Sequence, residues 1–91
     1  MLLSVFEDFE KEAEEQIANA IAAYHKNDVA TIQKELHTLK GNSGTIGLMR
    51  IHEITKDIEI PAKVGNLDGF QERAAILTKE FEAFKAEYTK I

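Results

Sequence analysis

Residues 28–47, DVATIQKELHTLKGNSGTIG, hold the pattern from which the rest of the chain can be read. Val29, Ile32, Leu36 and Leu39 recur at spacings of three and four, the period of a helix with one buried face. Asp28, just ahead of them, has the side chain of an N-cap. The pattern predicts a helix running to about residue 44, with its apolar stripe turned inward. On a wheel of about 100° per residue, His37 swings well away from that stripe. Ala30, Gln33, Lys40, Gly41 and Gly44 fall on the same outward side.

A glycine inside a helix costs about 0.5–1 kcal/mol relative to alanine. Two of them beside a single histidine therefore call for a reason other than stability. Helical side chains lean toward the N-terminus, so Lys40 is expected to reach back beside the imidazole while Gly41 leaves the ring uncovered. Ala30 and Gly44 extend this into a patch free of bulky groups, wide enough for another protein to approach. Gln33, one turn before His37, is placed to orient the ring or to bond a group attached to it.

Working outward, Phe6, Phe9, Ala13, Ile17, Ala20, Ile21 and Tyr24 form the stripe of a first helix ending near residue 25. Ser4 followed by Glu7 has the form of a capping box at its start. Asn27 and Asp28 break the chain before the second helix. A turn at Thr45 to Gly47 leads to a third helix with the stripe Leu48, Ile51, Ile54 and Ile58, which Pro61 should end or kink. Gly65 and Asn66 mark the next connection. Phe70, Ala74, Leu77, Phe81, Phe84 and Tyr88 define a fourth helix entered through Asn66 or Asp68 as cap. The expected fold is all-α: an antiparallel up-down-up-down four-helix bundle in a single domain, 1–91, with His37 exposed on its second helix.

Composition narrows the function. The 91 residues suffice for one core, and the absence of cysteine excludes disulfide, thiol and Cys-based metal chemistry. Sixteen acidic residues against eleven basic ones give a net charge of −5, with the basic residues scattered, which argues against nucleic acid as a partner. The apolar runs are far shorter than the roughly 20 residues that cross a bilayer, and Met1-Leu2-Leu3 lacks the basic start of a signal peptide. The expectation is a soluble cytoplasmic protein without a membrane partner.

An exposed imidazole is a nucleophile near neutral pH. A phosphoryl group on it would bring close to two negative charges, which Lys40 is suited to neutralise. No P-loop is present, and no magnesium-binding carboxylate set is evident near His37. Such a site can carry a phosphoryl group but depends on a partner to deliver and remove it. The remaining motifs have plainer readings. His25 sits at the end of the first helix, where a cation suits the dipole, and His52 is expected at the surface. The run Glu7 to Glu15 reads as a solvated face, and the Phe81, Phe84 and Tyr88 stripe as core. No two histidines lie at i, i+4 and no Glu-x-x-His pair occurs, so no metal or other cofactor is expected on this chain.

His37-Thr38-Leu39-Lys40-Gly41, followed by Gly47, Leu48, Ile51, Ile54 and Glu59, resembles the histidine-containing phosphotransfer (HPt) domains of multistep two-component signalling. The likeness extends over nearly the whole chain. Asn42 departs from it, standing where the family usually has Ser or Ala. The resemblance implies a four-helix bundle whose histidine, here His37, is phosphorylated on Nε2. His37 would receive the group from an aspartate of one receiver domain and pass it to another. Lys40 would be the phosphate-side cation, and Gly41 the residue that keeps the ring accessible. Partners would be receiver domains of response regulators or of a hybrid histidine kinase, with Mg2+ bound on the receiver. The chain would be a monomeric carrier without kinase activity of its own. Two other readings compete: a helical interaction module that docks receiver domains without phosphotransfer, and the dimerising region of a histidine kinase. Retention of both His37 and Lys40 argues against the first. Thr38 after the histidine, and no proline before Pro61, argue against the second.

Overall fold

A computed structural model describes residues 2–89, and for residues 2 and 3 the backbone alone. It has four helices: α1 (Leu2–His25), α2 (Val29–Thr45), α3 (Met49–Ala62) and α4 (Phe70–Tyr88), with no strand among the described residues. No helix among them is long and apolar enough to cross a membrane.

The helix ends follow from local chemistry. Asp28 caps α2, its carboxylate accepting from the Thr31 amide at 3.2 Å and the Thr31 hydroxyl at 2.6 Å. These bonds from Thr31 hold the Asp28 carboxyl below its ordinary value. The chain leaves α1, α2 and α3 by one shared device. A residue of positive φ, Asn27, Gly47 or Gly65, lets two successive amides turn back onto the last carbonyls: Asn27 to Tyr24 and Asp28 to Ala23, Gly47 to Gly44 and Leu48 to Ser43, Gly65 to Ala62 and Asn66 to Pro61.

Two expected boundaries are corrected, the start of α1 and the cap of α4. Ser4 lies inside α1 and does not open it, because α1 already includes Leu2 and Leu3, both of a strongly helix-forming type. The expectation that Pro61 ends the third helix holds to within one residue: Pro61 sits in the last turn of α3, which stops at Ala62. Neither Asn66 nor Asp68 caps α4. Gly69 does so at φ 74°, with no side-chain bond, while the Asn66 side chain accepts from the Asp68 amide at 3.0 Å.

Packing runs α1 on α2, α2 on α3, α3 on α4 and α4 back on α1. Opposite ends of α1 and α4 meet: Phe6 lies against Tyr88, and Tyr24 stacks on Phe70 with centroids 4.4 Å apart. The core takes Phe9, Ala13 and Ile17 from α1, Ile32, Leu36 and Leu39 from α2, Ile51 and Ile58 from α3, and Phe70, Leu77 and Phe81 from α4. Phe81 and Tyr88 are buried and Phe84 packs against the core, as the stripe predicts. Three polar residues are fully buried beside this core: Ser43 on α2, and Thr55 and Glu59 on α3.

Candidate functional site

Because Ile32, Leu36 and Leu39 are drawn wholly into the core, α2 has one allowed rotation, and that rotation turns His37 outward. The His37 side chain is 67% exposed. Its Nδ1 nevertheless lies 3.5 Å from Oε2 of Glu59, a residue on α3 with no accessible surface. That distance is long for a hydrogen bond and marks an electrostatic contact.

A fully buried carboxylate is costly unless it is paired. Here the Lys40 Nζ lies 2.8 Å from Oε1 of Glu59, and the Lys63 Nζ, one helical turn beyond Glu59, lies 3.5 Å from Oε2. Burial alone would raise the Glu59 pKa. The bond and charge of Lys40, then the charges of Lys63 and His37, outweigh it, so the carboxyl is held below its ordinary value and stays ionised at neutral pH. A carboxylate on the Nδ1 side favours the tautomer with a proton on Nδ1, which leaves the Nε2 lone pair free.

Lys40 therefore sits otherwise than its place on the helical wheel suggests. Its side chain is only 22% exposed, because the long stem lets the ammonium fold inward to the buried charge. Gly41 is exposed, and a Cβ built there would meet nothing within 4 Å. Gly44 is not part of the open patch. A Cβ at Gly44 would come within 3.0 Å of Nδ1 of His52, so this glycine makes room for a ring packed between α2 and α3. His52 is accordingly not a free surface residue. It is half-buried, and since its Nδ1 lies 2.9 Å from the Lys40 carbonyl, which can only accept, that nitrogen carries the proton. The bond fixes the backbone of Lys40 to α3 independently of its side chain. Asn42, the departure from the family pattern, turns its amide toward Glu12 of α1 at 3.4 Å.

Ala30, Gln33, Lys34, His37 and Lys63 line one open cleft of about 390 Å³. The structure thus brings Ala30 and Gln33 together with His37 on the N-terminal side of the ring, and leaves Gly41 on the other side. Glu59 and Lys63 are the contributors that spacing alone does not single out. Glu59 enters the sequence reading only through the family resemblance. Its signal is an acidic residue within the buried stripe of α3, next to Ile58 and four residues after the equally buried Thr55. Among the described residues no group of three or more His, Asp or Glu is placed to hold a metal ion.

No curated protein and no solved structure matches the chain. The family model of the Hpt domain matches residues 4–87, and on that match over nearly its whole length the chain belongs to the Hpt family of histidine phosphotransfer domains.

Proposed function

We propose that this chain is a phosphorelay intermediate that accepts a phosphoryl group on Nε2 of His37 from an aspartate of one receiver domain and passes it to an aspartate of another. One observation carries the reading: an exposed imidazole whose Nδ1 faces a fully buried, cation-held carboxylate. In the transfer, the Nε2 lone pair attacks phosphorus as the bond to the aspartyl oxygen breaks, and the bonding pair leaves with the aspartate. Nδ1 keeps its proton, so the ring becomes cationic and faces Glu59. The reverse step returns the phosphoryl group to a second receiver.

In this reading Glu59 is a positioning residue that selects the tautomer and stabilises the charged ring. Lys40 holds Glu59 ionised and adds positive charge near the transferred group. Gly41 keeps the ring open, while Ala30 and Gln33 form the docking floor beside it. The up-down-up-down order of the helices is supported by the meeting of opposite ends in α1 and α4 and by the short connections between α1, α2 and α3. The chain acts as a monomeric, cytoplasmic carrier rather than a kinase, and Mg2+ belongs to the receiver. Incubation with a phosphorylated receiver domain and Mg2+ is expected to place acid-labile, base-stable label on the chain. Label that persists in His37→Gln would overturn the proposal.

A further inference from the structure

The Glu59 carboxylate is approached by three cations or potential cations, and they are not equivalent. Lys40 holds Oε1 at 2.8 Å from a half-buried position. His37 and Lys63 share Oε2, each at 3.5 Å. Lys63 is 44% exposed, lies at the end of α3, and lines the cleft that also holds His37. It therefore has a loose contact to give up and open space to move through. Lys34 lines the same cleft from α2 but forms no ion pair with Glu59.

Resting on the relay reading above, we propose that Lys63 is a second phosphate-side cation, which leaves Oε2 of Glu59 for the phosphoryl oxygens when His37 is phosphorylated. The exchange has two consequences. A dianionic phosphoryl group gains a charge-assisted hydrogen bond from a flexible ammonium already beside it. At the same time Oε2 loses its competing cation and becomes available to the Nδ1–H of the now positive ring. Lys40 stays on Oε1 throughout, so the buried carboxylate is never left unpaired. The division of labour is a fixed lysine that holds the carboxylate and a mobile one that follows the phosphate. No atom or proton is exchanged with solvent in this step, and no covalent bond changes; only ion pairs and hydrogen bonds are made and broken.

Potassium phosphoramidate, which phosphorylates histidine without a partner protein, provides the test. Wild-type chain is charged, excess donor removed, and loss of phosphohistidine followed at neutral pH, with His37→Gln as the control for site. Lys63→Met is expected to shorten the phosphohistidine lifetime about three- to tenfold, the range of one partly exposed charge-assisted hydrogen bond. Lys63→Arg should stay within about twofold of wild type, since it keeps the positive charge and a donor suited to phosphate oxygens. Lys34→Met should also stay near wild type. The side-chain Nζ resonance of Lys63 should shift on phosphorylation by more than that of Lys34, a change that a purely structural role at the helix end would not produce. An unchanged lifetime in Lys63→Met, or a stationary Lys63 resonance, would overturn the proposal and leave the relay reading standing. Failure of the wild-type chain to carry phosphate on His37 would overturn the relay reading and this proposal with it.

Discussion

The seam between α1 and α4 and the seam between α2 and α3 are built from opposite materials. Between α1 and α4 the contacts are aromatic: Phe9 meets Phe84 edge-on at 5.4 Å and Phe81 at 6.5 Å, and Phe6 meets Phe84 at 5.5 Å. Such pairs add about 0.5–1.5 kcal/mol each beyond their buried area. Between α2 and α3 the buried set includes Ser43, Thr55 and Glu59, with His52 bonded across to the Lys40 carbonyl. Ser43 and Thr55 satisfy their hydroxyls on their own helices, at the Leu39 and Ile51 carbonyls. Glu59 depends on side chains from both helices. The contrast teaches that one side of the bundle supplies stability while the other spends some of it to hold a charge beneath a surface histidine.

The largest effect that separates the two seams should come from Phe81→Ala, since Phe81 is buried against both Phe9 and Phe84. A loss of about 3–5 kcal/mol is expected in urea unfolding. A loss below about 1 kcal/mol would mean that the aromatic seam is not the anchor.

Lys40→Met breaks the polar seam by removing the closest partner of a fully buried carboxylate. Cutting one partner from a buried pair costs about 3–5 kcal/mol; because Lys40 is partly exposed and Lys63 remains, about 1–3 kcal/mol is expected here. The same seam should show in the pH dependence of stability. The folded Glu59 carboxyl lies below its ordinary value of 4.5, so its contribution is complete above that pH and is lost as the pH falls toward the depressed folded value. Glu59→Gln should therefore flatten the acid limb of the stability curve. An acid limb as steep as that of wild type would place the pH dependence elsewhere.

Two glycines on one helix offer a smaller and sharper contrast. Gly41→Ala meets open space and should stabilise by about 0.5–1 kcal/mol through helix propensity. Gly44→Ala gains the same propensity but presses on His52, so its thermal midpoint should fall clearly below that of Gly41→Ala. Equal midpoints would remove the packing reason for Gly44.

The four helices and the outward turn of α2 were legible because Ile32, Leu36 and Leu39, like the Phe70 to Tyr88 stripe, repeat with the helical period and face a single core. The entry to α4 was not, because Gly69 opens it through a positive φ rather than through a side chain that a sequence displays. Nor were the roles of Glu59 and His52. Glu59 is buried in its ionised form because Lys40 and His37 reach it from another helix in addition to Lys63 beside it, and the partner of His52 is a backbone carbonyl, which every residue carries. The wheel angle of Lys40 places it on the outer face, but the length of its side chain lets a buried charge draw it inward.

The central claim is that His37 accepts phosphate on Nε2 because its Nδ1 faces the buried carboxylate of Glu59. NMR of the phosphorylated, 15N-histidine-labelled chain tests it most directly, by reading which ring nitrogen is bonded to phosphorus. Phosphorus coupled to Nε2 of His37, with the proton retained on Nδ1, is the expected result. Phosphate on Nδ1, or on a residue other than His37, would contradict it.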